Sequence, residues 1–433
     1  MLLLLACAPE GPVTACVVEE PVGTGVFGVQ QVCGRWWFVP PEGGRMWSAG
    51  VNAATPNGSR NGVTGEYAYA DSVAEIHGSD EAWGQVSTAR LRSWGFNTAG
   101  SWSRPDLLDL PATINVRLSG GDWETGALAD WFSPEWEAYV ASQVEAEVVP
   151  RVGDEQVLGW FLDNEIRWGR DWRGTDTLLQ EYLGLGAESE GKSVAVDLLL
   201  DRLGSVEEVN AALGLDLADR QGMLERTDWD ELDPGTSGTE ASLTLAFLEL
   251  AAERYFGLTT AAIREVDPDH LILGNREVSV MVPAVVWEVA GRHVDVLSAN
   301  NYVFVEGIAD AALNISGGLD PAGFLQAQYE LTGKPILVTE FGFRAADAGL
   351  PNSWPPIYPI LDDQEARADA FEDYVREAQA APWIVGTHWF AWVDQPVDGR
   401  FDGEDNNWGL VTEGDQPYVL LTERAAEVFG DVE

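Results

Sequence analysis

The chain has 433 residues, of which 45% are hydrophobic, and this composition supports a large packed core and excludes a chain that is disordered throughout. Asp and Glu number 71 and Lys and Arg only 25, so the formal net charge at pH 7 is −46. Such a charge repels phosphate backbones and anionic lipids, which excludes nucleic acid as a partner and a polybasic membrane patch. A solvated acidic surface suits a secreted or salt-tolerant protein. The 19 tryptophans fit either an aromatic core or a carbohydrate site, because aromatic faces stack on the C–H faces of sugar rings.

The N-terminus resembles a bacterial lipoprotein signal, with Cys7 directly after a short apolar run at 2–5. We therefore predict that residues 1–34 form an export signal and tether and that the protein is lipid-anchored at the cell surface or secreted. The run is too short to span a bilayer, so a lipid on Cys7 is the one membrane contact that we predict. In an oxidising compartment, Cys16 and Cys33 could form a disulfide.

Residues 35–433 are predicted to form one catalytic (β/α)8 barrel, an α/β fold of the TIM type. Strand and helix patterns alternate, and the strands are mostly continuous apolar runs, as in a closed parallel barrel. An open doubly wound sheet would need a glycine-rich phosphate loop after its first strand, and the sequence has none there. The candidate strands are 46–52, 95–100, 112–118, 157–163, 270–275, 294–300, 335–341 and 385–391, and the main helical patterns are 81–94, 134–149, 240–266, 363–380 and 418–429.

Two additions to the barrel are predicted. Apolar runs on either side of a Pro/Gly turn indicate a short N-terminal β hairpin at 35–47. A charged helical insertion of about residues 170–239 follows the fourth strand, and one of its helices begins at the capping-box residue Ser205.

Two glutamates are the candidate catalytic residues. Glu165 follows the fourth strand and Glu340 lies at the end of the seventh, each after a run of apolar residues. A carboxylate in such a place is costly unless it is paired, hydrogen-bonded or functional. Each alone could form a structural ion pair, with Arg167 or Arg344. Together they can face one another across the barrel mouth, as glycoside hydrolysis requires.

Other residues at the strand ends are predicted to bind substrate. Asn164 could donate to a sugar 2-hydroxyl, Tyr302 could hydrogen-bond to Glu340, and Arg276 could hold Glu340 in its charged form. Trp389 and Trp392 could form the floor of a sugar subsite, although core packing is the alternative for both. The remaining predicted substrate contacts are Asn52, Asn97, Asn301, His388 and Asp394.

These residues resemble the β-agarases of glycoside hydrolase family 50, in clan A. The resemblance rests on the strings at 159–169, 339–352 and 388–396, with 94–98 and 399–404, and it covers roughly residues 35–430. It implies a retaining hydrolase of β-linked galactose polymers such as agarose. It also implies that Glu165 is the general acid/base and Glu340 the nucleophile.

Other functions remain open from the sequence alone. The same glutamates could serve another clan A glycosidase, of the β-galactosidase or β-mannanase type, or the barrel could be an inactive carbohydrate-binding protein. The acidic segment 398–405 misses the spacing of an EF-hand loop, and the four histidines are scattered. We therefore predict no metal, no cofactor and no protein partner; the predicted partner is a polysaccharide or oligosaccharide.

Overall fold

A closed barrel of eight parallel strands forms the centre of the computed structural model, which describes residues 19–232, 238–304, 318–320 and 323–431. The strands of the described part are β1 (Gly28–Val32), β2 (Arg35–Val39), β3 (Ser48–Val51), β4 (Thr98–Ala99), β5 (Ala112–Asn115), β6 (Val157–Asn164), β7 (Leu271–Val278), β8 (Leu297–Asn300), β9 (Ile336–Phe341), β10 (Arg344–Ala345), β11 (Ile360–Leu361) and β12 (Ile384–Trp389). The barrel order is β12-β3-β4-β5-β6-β7-β8-β9, and β10 and β11 form a small separate pair. The predicted (β/α)8 barrel is confirmed, and each of its eight strands overlaps a candidate strand of the sequence.

The helices lie between these strands, as the alternating pattern predicts. They are α1 (Ala68–Ile76), α2 (Asp80–Ser93), α3 (Pro134–Gln143), α4 (Leu178–Leu183), α5 (Glu190–Leu203), α6 (Val206–Leu213), α7 (Arg220–Glu225), α8 (Thr239–Val266), α9 (Ala284–His293), α10 (Phe324–Thr332), α11 (Gln364–Ala380) and α12 (Val419–Gly430). The helical pattern at 134–149 is split, because α3 passes into a π-helical turn at Val144–Val148.

The helical insertion after the fourth barrel strand contains α4 to α7, and α4 and α5 pack against α8. Helix α6 begins as predicted: the Ser205 side chain accepts from the Glu208 backbone N–H, and the Glu208 side chain accepts from that of Ser205. Buried apolar side chains such as Leu199 and Phe247 hold this layer against the barrel helices.

The N-terminal hairpin differs from the predicted one. Strands β1 and β2 pair antiparallel around Cys33 and Gly34, which have φ angles of 52° and 82° and therefore form the tight two-residue turn that favours glycine. The predicted partners across the later Pro/Gly turn form a single bridge, between Phe38 and Met46. Phe27 and Phe38 pack on residues from the first halves of the barrel strands, so the hairpin closes the N-terminal end of the barrel. Residues 28–32, which lie before the boundary predicted at residue 34, therefore pair with the first strand after it.

The predicted lipid anchor at Cys7 lies outside the described residues, as does Cys16. Cys33 is disulfide-bonded. Within the described ranges, every helix is too short or too polar to cross a bilayer.

Few positive charges are available to offset the acidic surface. Lys192 is one of only two lysines in the chain, and it is 0% exposed. Its ammonium donates to the carbonyl oxygens of Leu185 and Arg226 at 2.7 and 2.6 Å. Arginines such as Arg90 and Arg173 are bound to carboxylates of the protein itself. The net charge of −46 is therefore carried largely by carboxylates in water.

We expect the Tm to rise by several degrees between about 0.05 M and 0.5 M NaCl, because salt screens repulsion between surface carboxylates within about 10 Å at 0.1 M ionic strength. Differential scanning calorimetry at pH 7 measures the shift. Sucrose at matched osmolality is the control for solute exclusion. A Tm that stays constant or falls in NaCl would contradict the expectation.

Candidate active site

The carboxyl ends of four neighbouring barrel strands bring the candidate residues together. Strand β6 leads into Glu165, β7 carries Arg276, β8 ends at Asn300 and β9 carries Glu340. Their buried apolar residues fix each strand in the barrel wall, so the polar residues at the strand ends must point into the same mouth.

Glu340 is a buried carboxylate bound on both oxygens. Its side-chain Oε1 lies 2.8 Å from the Arg276 Nη2, and the Tyr302 hydroxyl donates to its Oε2 at 2.7 Å. Burial raises the pKa of Glu340 to about 7, while the charge of Arg276 and the hydrogen bond from Tyr302 oppose the rise. Both contacts that the sequence predicts for Glu340 are present in the structure.

Arg276 is 0% exposed and links the strand ends. Its Nη1 donates to Asn164 Oδ1 at 2.8 Å, and its Nη2 donates to the Thr339 carbonyl at 3.0 Å. The guanidinium lies 4.3 Å from the ring centroid of Trp102, which covers it from the loop after β4. Burial lowers the pKa of Arg276, and Glu340 is the largest influence in the other direction.

Glu165 is half-buried and is held by neutral donors. Asn300 Nδ2 donates to its Oε1 at 2.8 Å and Trp123 Nε1 donates to its Oε2 at 2.9 Å. Its backbone has a φ of 49°, in the left-handed region that non-glycine residues rarely adopt, and its N–H donates to the Arg276 carbonyl at 3.0 Å. The charge of Glu165 also raises the pKa of Glu340, so the two carboxylates act on one another electrostatically.

The site therefore holds two carboxylates in unlike surroundings. One is buried and bound by a cation and a phenol; the other is partly exposed and bound by an amide and an indole. Asn164 lies next to Glu165, and its Oδ1 accepts from Arg276 and, at 3.3 Å, from Asn300. The amide of Asn164 thus has its oxygen turned to the protein.

Known proteins with a similar chain include β-agarases. The chain is 26% identical over 493 aligned residues to Beta-agarase A of Vibrio sp. (strain JT0107), with 96% of this chain and 46% of that protein covered. The solved structure of PfGH50B matches with a TM-score of 0.77 at 22% identity, over 96% of this chain and 67% of that one. The agarase AgWH50C matches with a TM-score of 0.78 at 24% identity, over 96% of this chain and 66% of that one. The resemblance to the β-agarases of glycoside hydrolase family 50 is confirmed.

The β-agarase likeness has two limits. No protein-family model matches the chain. The chain also spans less than half the length of the Vibrio relative.

The tryptophans that we predicted as a sugar floor lie in the core. Trp389 and Trp392 are both 0% exposed. Trp389 packs on Phe341 with ring centroids 5.3 Å apart, and Trp392 stacks on Trp94 at 5.9 Å. Their indole N–H groups are bound inside the protein, that of Trp392 to the Tyr69 hydroxyl at 2.8 Å. The prediction is corrected, because neither ring can contact a sugar from this position.

Two predicted substrate contacts on the first and eighth barrel strands are also buried. Asn52 is 0% exposed, and it donates to the Thr339 carbonyl at 2.8 Å, so it braces the strand ends instead of binding substrate. His388 lies inside the barrel, where its Nε2 is 2.8 Å from Ser48 Oγ. A Cβ on Gly50 would stand 2.3 Å from the His388 ring, so glycine is required there. Burial and the charge of Arg276 lower the pKa of His388 to about 3, which keeps the ring neutral.

Three further predicted contacts are corrected because their side chains are bonded to the protein itself. Asn97 precedes β4, on the side of the barrel away from the mouth, and donates to the Trp47 carbonyl at 2.8 Å. Asn301 points away from the mouth and donates to the Leu319 carbonyl at 2.7 Å. Asp394 is 4% exposed and accepts from the Tyr418 hydroxyl at 2.6 Å.

Several residues of the mouth were not predicted from the sequence. Asn300 was passed over for its neighbour Asn301, although strand alternation allows only one of the two to face the barrel mouth. Trp102 and Trp123 lie on loops after the second and third barrel strands, where no motif distinguishes them. Tyr358 packs on Tyr302 with ring centroids 4.9 Å apart.

The acidic segment 398–405 is organised around Arg400. Its Nη2 lies 2.8 Å from Asp402 Oδ2 and 2.9 Å from Glu404 Oε2. Arg400 also lowers the pKa of Glu340, as a further cation of the mouth. Within the described residues, no cluster of His, Cys, Asp and Glu has the geometry of a metal site.

Glu277 follows Arg276 but faces away from the mouth, into the wall. It is 3% exposed, and its Oε1 accepts from the Trp168 and Asn275 side chains at 2.9 and 3.0 Å. Burial raises its pKa to about 8, so the carboxyl is protonated at neutral pH. A raised folded-state pKa stabilises the fold below the unfolded pKa near 4.3, and this stability is lost as the pH rises through about 8.

We expect Glu277→Gln to remove this loss, because glutamine resembles the neutral carboxyl. Between pH 5 and pH 8.5, the Tm of the variant relative to wild type should increase by about 2 °C or more, the shift that about 1 kcal/mol gives in a large domain. Thermal unfolding followed by circular dichroism measures it. The exposed Glu145→Gln is the control, and an equal pH dependence of both variants would count against a buried neutral Glu277.

Proposed function

We propose that the chain is a retaining glycoside hydrolase of β-linked galactose polymers, agarose-like in substrate, with Glu340 as nucleophile and Glu165 as general acid/base. The observation that carries the proposal is the convergence of the two glutamates at one barrel mouth. The buried one is bound by Arg276, and the partly exposed one by Asn300 and Trp123. Two carboxylates on opposite sides of a glycosidic bond are what this chemistry needs.

In the first step, Glu340 attacks the anomeric carbon while Glu165 gives its proton to the glycosidic oxygen. The bond from the anomeric carbon to that oxygen breaks, a covalent glycosyl ester forms on Glu340, and the leaving sugar departs as an alcohol. Arg276 and Tyr302 hold the oxygens of Glu340 in place, so the attacking lone pair is directed before substrate arrives.

In the second step, Glu165 is a carboxylate and removes a proton from water. The water oxygen attacks the anomeric carbon, the ester bond breaks, and Glu340 regains its charge beside Arg276. The donors to Glu165, an amide and an indole, carry no charge. Two displacements return the anomeric carbon to its original configuration.

The substrate class rests on the likeness to the agarases and on the aromatic lining of the mouth. Trp102 is 44% exposed, with one side of its ring over Arg276, and it takes the place of the buried Trp389 as the candidate aromatic surface for a sugar. A galactose ring would pack on the face of Trp102 that is turned away from Arg276. Reducing-sugar release from agarose, galactan and mannan, with aryl β-galactosides, separates an agarase from a β-galactosidase or β-mannanase.

Export is proposed from the sequence alone, with Cys7 as the lipid-bearing residue. Mass spectrometry of the N-terminal peptide from the expressing cells would show whether Cys7 carries a diacylglyceryl group.

Replacement of the two glutamates should give different patterns of loss. Glu340→Ala should abolish turnover of every substrate, since no ester can form. Glu165→Ala should reduce agarose hydrolysis by about 10²–10⁴-fold, yet aryl galactosides with good leaving groups should still form the ester, because their departure needs no proton. Stopped-flow release of the phenol measures this step.

Glu137→Ala, on the exposed face of α3, is the matched control for these variants and should behave as wild type. Added azide should speed turnover of aryl galactosides by Glu165→Ala, because azide attacks without a general base. Equal loss on both substrate types would contradict the role of Glu165 as acid.

The pH dependence should report Glu340. Since the nucleophile must be ionised and burial raises the pKa of Glu340 to about 7, kcat/KM should fall as the pH is lowered through about 7. Tyr302→Phe removes a hydrogen bond that lowers this pKa, so its acidic limb should move to higher pH. Initial rates on an aryl galactoside between pH 3.5 and pH 9 measure the acidic limbs of wild type and Tyr302→Phe, and a wild-type midpoint near pH 4.5 would argue against a buried nucleophile.

A further inference from the structure

A tight turn after the fourth barrel strand presents an exposed tryptophan beside the mouth. The Asp171 backbone N–H donates to the Gly174 carbonyl at 3.1 Å and closes the turn, and Trp172 lies at its tip. Trp172 is 55% exposed, although an indole of this size is usually mostly buried. The proposed catalytic chemistry makes no use of it.

The ring of Trp172 is supported from one side by a fixed cation. The Arg173 guanidinium carbon lies 4.4 Å from the ring centroid, and the Arg173 side chain is only 3% exposed. Arg173 Nε and Nη2 both donate to Asp171 Oδ2, at 2.9 and 2.5 Å. The guanidinium is therefore immobilised, and cation–π attraction holds the indole in one orientation with much of its surface in water.

The same arginine connects the turn to the proposed acid/base. Arg173 Nη1 donates to the Trp123 carbonyl at 3.2 Å, and the Trp123 indole N–H donates to Glu165 Oε2 at 2.9 Å. Trp172 is thus connected to Glu165 through two residues, Arg173 and Trp123. These bonds tie the turn of Trp172 to the loop that carries Trp123, at the edge of the mouth.

We propose that Trp172 is a sugar-binding platform for a unit of the polysaccharide outside the site of cleavage. The inference rests on the proposed function. A flat, oriented, exposed indole fits the apolar C–H face of a neutral sugar ring. The net charge of −46 disfavours an anionic ligand on this chain.

A purely structural Trp172 would only shield Arg173 from water. Loss of the ring would then lower the Tm and reduce turnover of every substrate alike. A platform instead affects only substrates long enough to reach it, and its contribution appears in KM.

The test compares Trp172→Ala with wild type on long agaro-oligosaccharides and on an aryl β-galactoside. Trp172→Ala should raise KM for the long substrates about five- to tenfold, the range expected for one lost aromatic contact, with kcat unchanged. Its kinetics on the aryl galactoside should match wild type. Trp172→Phe should restore most of the affinity, and Leu245→Ala, which removes an exposed side chain on α8, should change nothing.

Unchanged KM on the long substrates, or an equal loss on the aryl galactoside, would overturn the platform. If the wild-type protein hydrolyses neither substrate, the proposed function fails. The platform is then tested separately by calorimetric titration of wild type and Trp172→Ala with the same oligosaccharides, and equal affinities would overturn it there too.

Discussion

The mouth of this barrel depends on one buried ion pair, between Arg276 and Glu340. Burial of a guanidinium costs free energy unless acceptors and an opposite charge lie beside it. Arg276, on the fifth barrel strand, donates hydrogen bonds to Asn164 Oδ1 and to the Thr339 carbonyl and forms an ion pair with Glu340. These partners lie at the ends of the fourth and seventh barrel strands. The pair therefore sets the relative positions of these strand ends as well as the charge of the carboxylate.

The second glutamate is positioned by a different device. Glu165 lies just past the end of its strand, and its left-handed backbone turns the side chain toward Asn300 and Trp123. Strain of this kind persists only where the surroundings hold it, and it is concentrated at functional sites. Because its donors are neutral, Glu165 keeps no fixed partner charge, whereas Glu340 always faces a cation. This asymmetry fits the proposed roles, in which Glu340 forms the covalent bond to the sugar and Glu165 transfers the proton.

The fold and the positions of the two glutamates at the barrel mouth could be predicted from the sequence. The barrel strands that precede the two glutamates are long, mostly apolar runs, and a carboxylate at the end of such a run stands out, which is why Glu165 and Glu340 could be predicted to meet at the barrel mouth. Arg276 and Tyr302 follow from the same reasoning. The wrong predictions arose where the sequence could not tell which of two adjacent residues faces the mouth, or toward which side of a strand a residue points. Asn301 instead of Asn300 is a slip of one position, and Trp389 belongs to a strand whose residues alternate between the barrel interior and the helix layer.

The loops show why the remaining residues could not be found from the sequence. Trp123 and Trp172 belong to turns closed by local hydrogen bonds, and neither lies near a strand end. Trp123 reaches Glu165 directly through its indole N–H, and Trp172 is linked to Glu165 because Arg173 bonds to the Trp123 carbonyl across two loops. In a barrel, the strands fix the reacting groups and the loops supply what holds the rest of the substrate. The candidate catalytic carboxylates are therefore predictable from strand ends, while the loop residues around them depend on contacts between loops that are distant in the sequence.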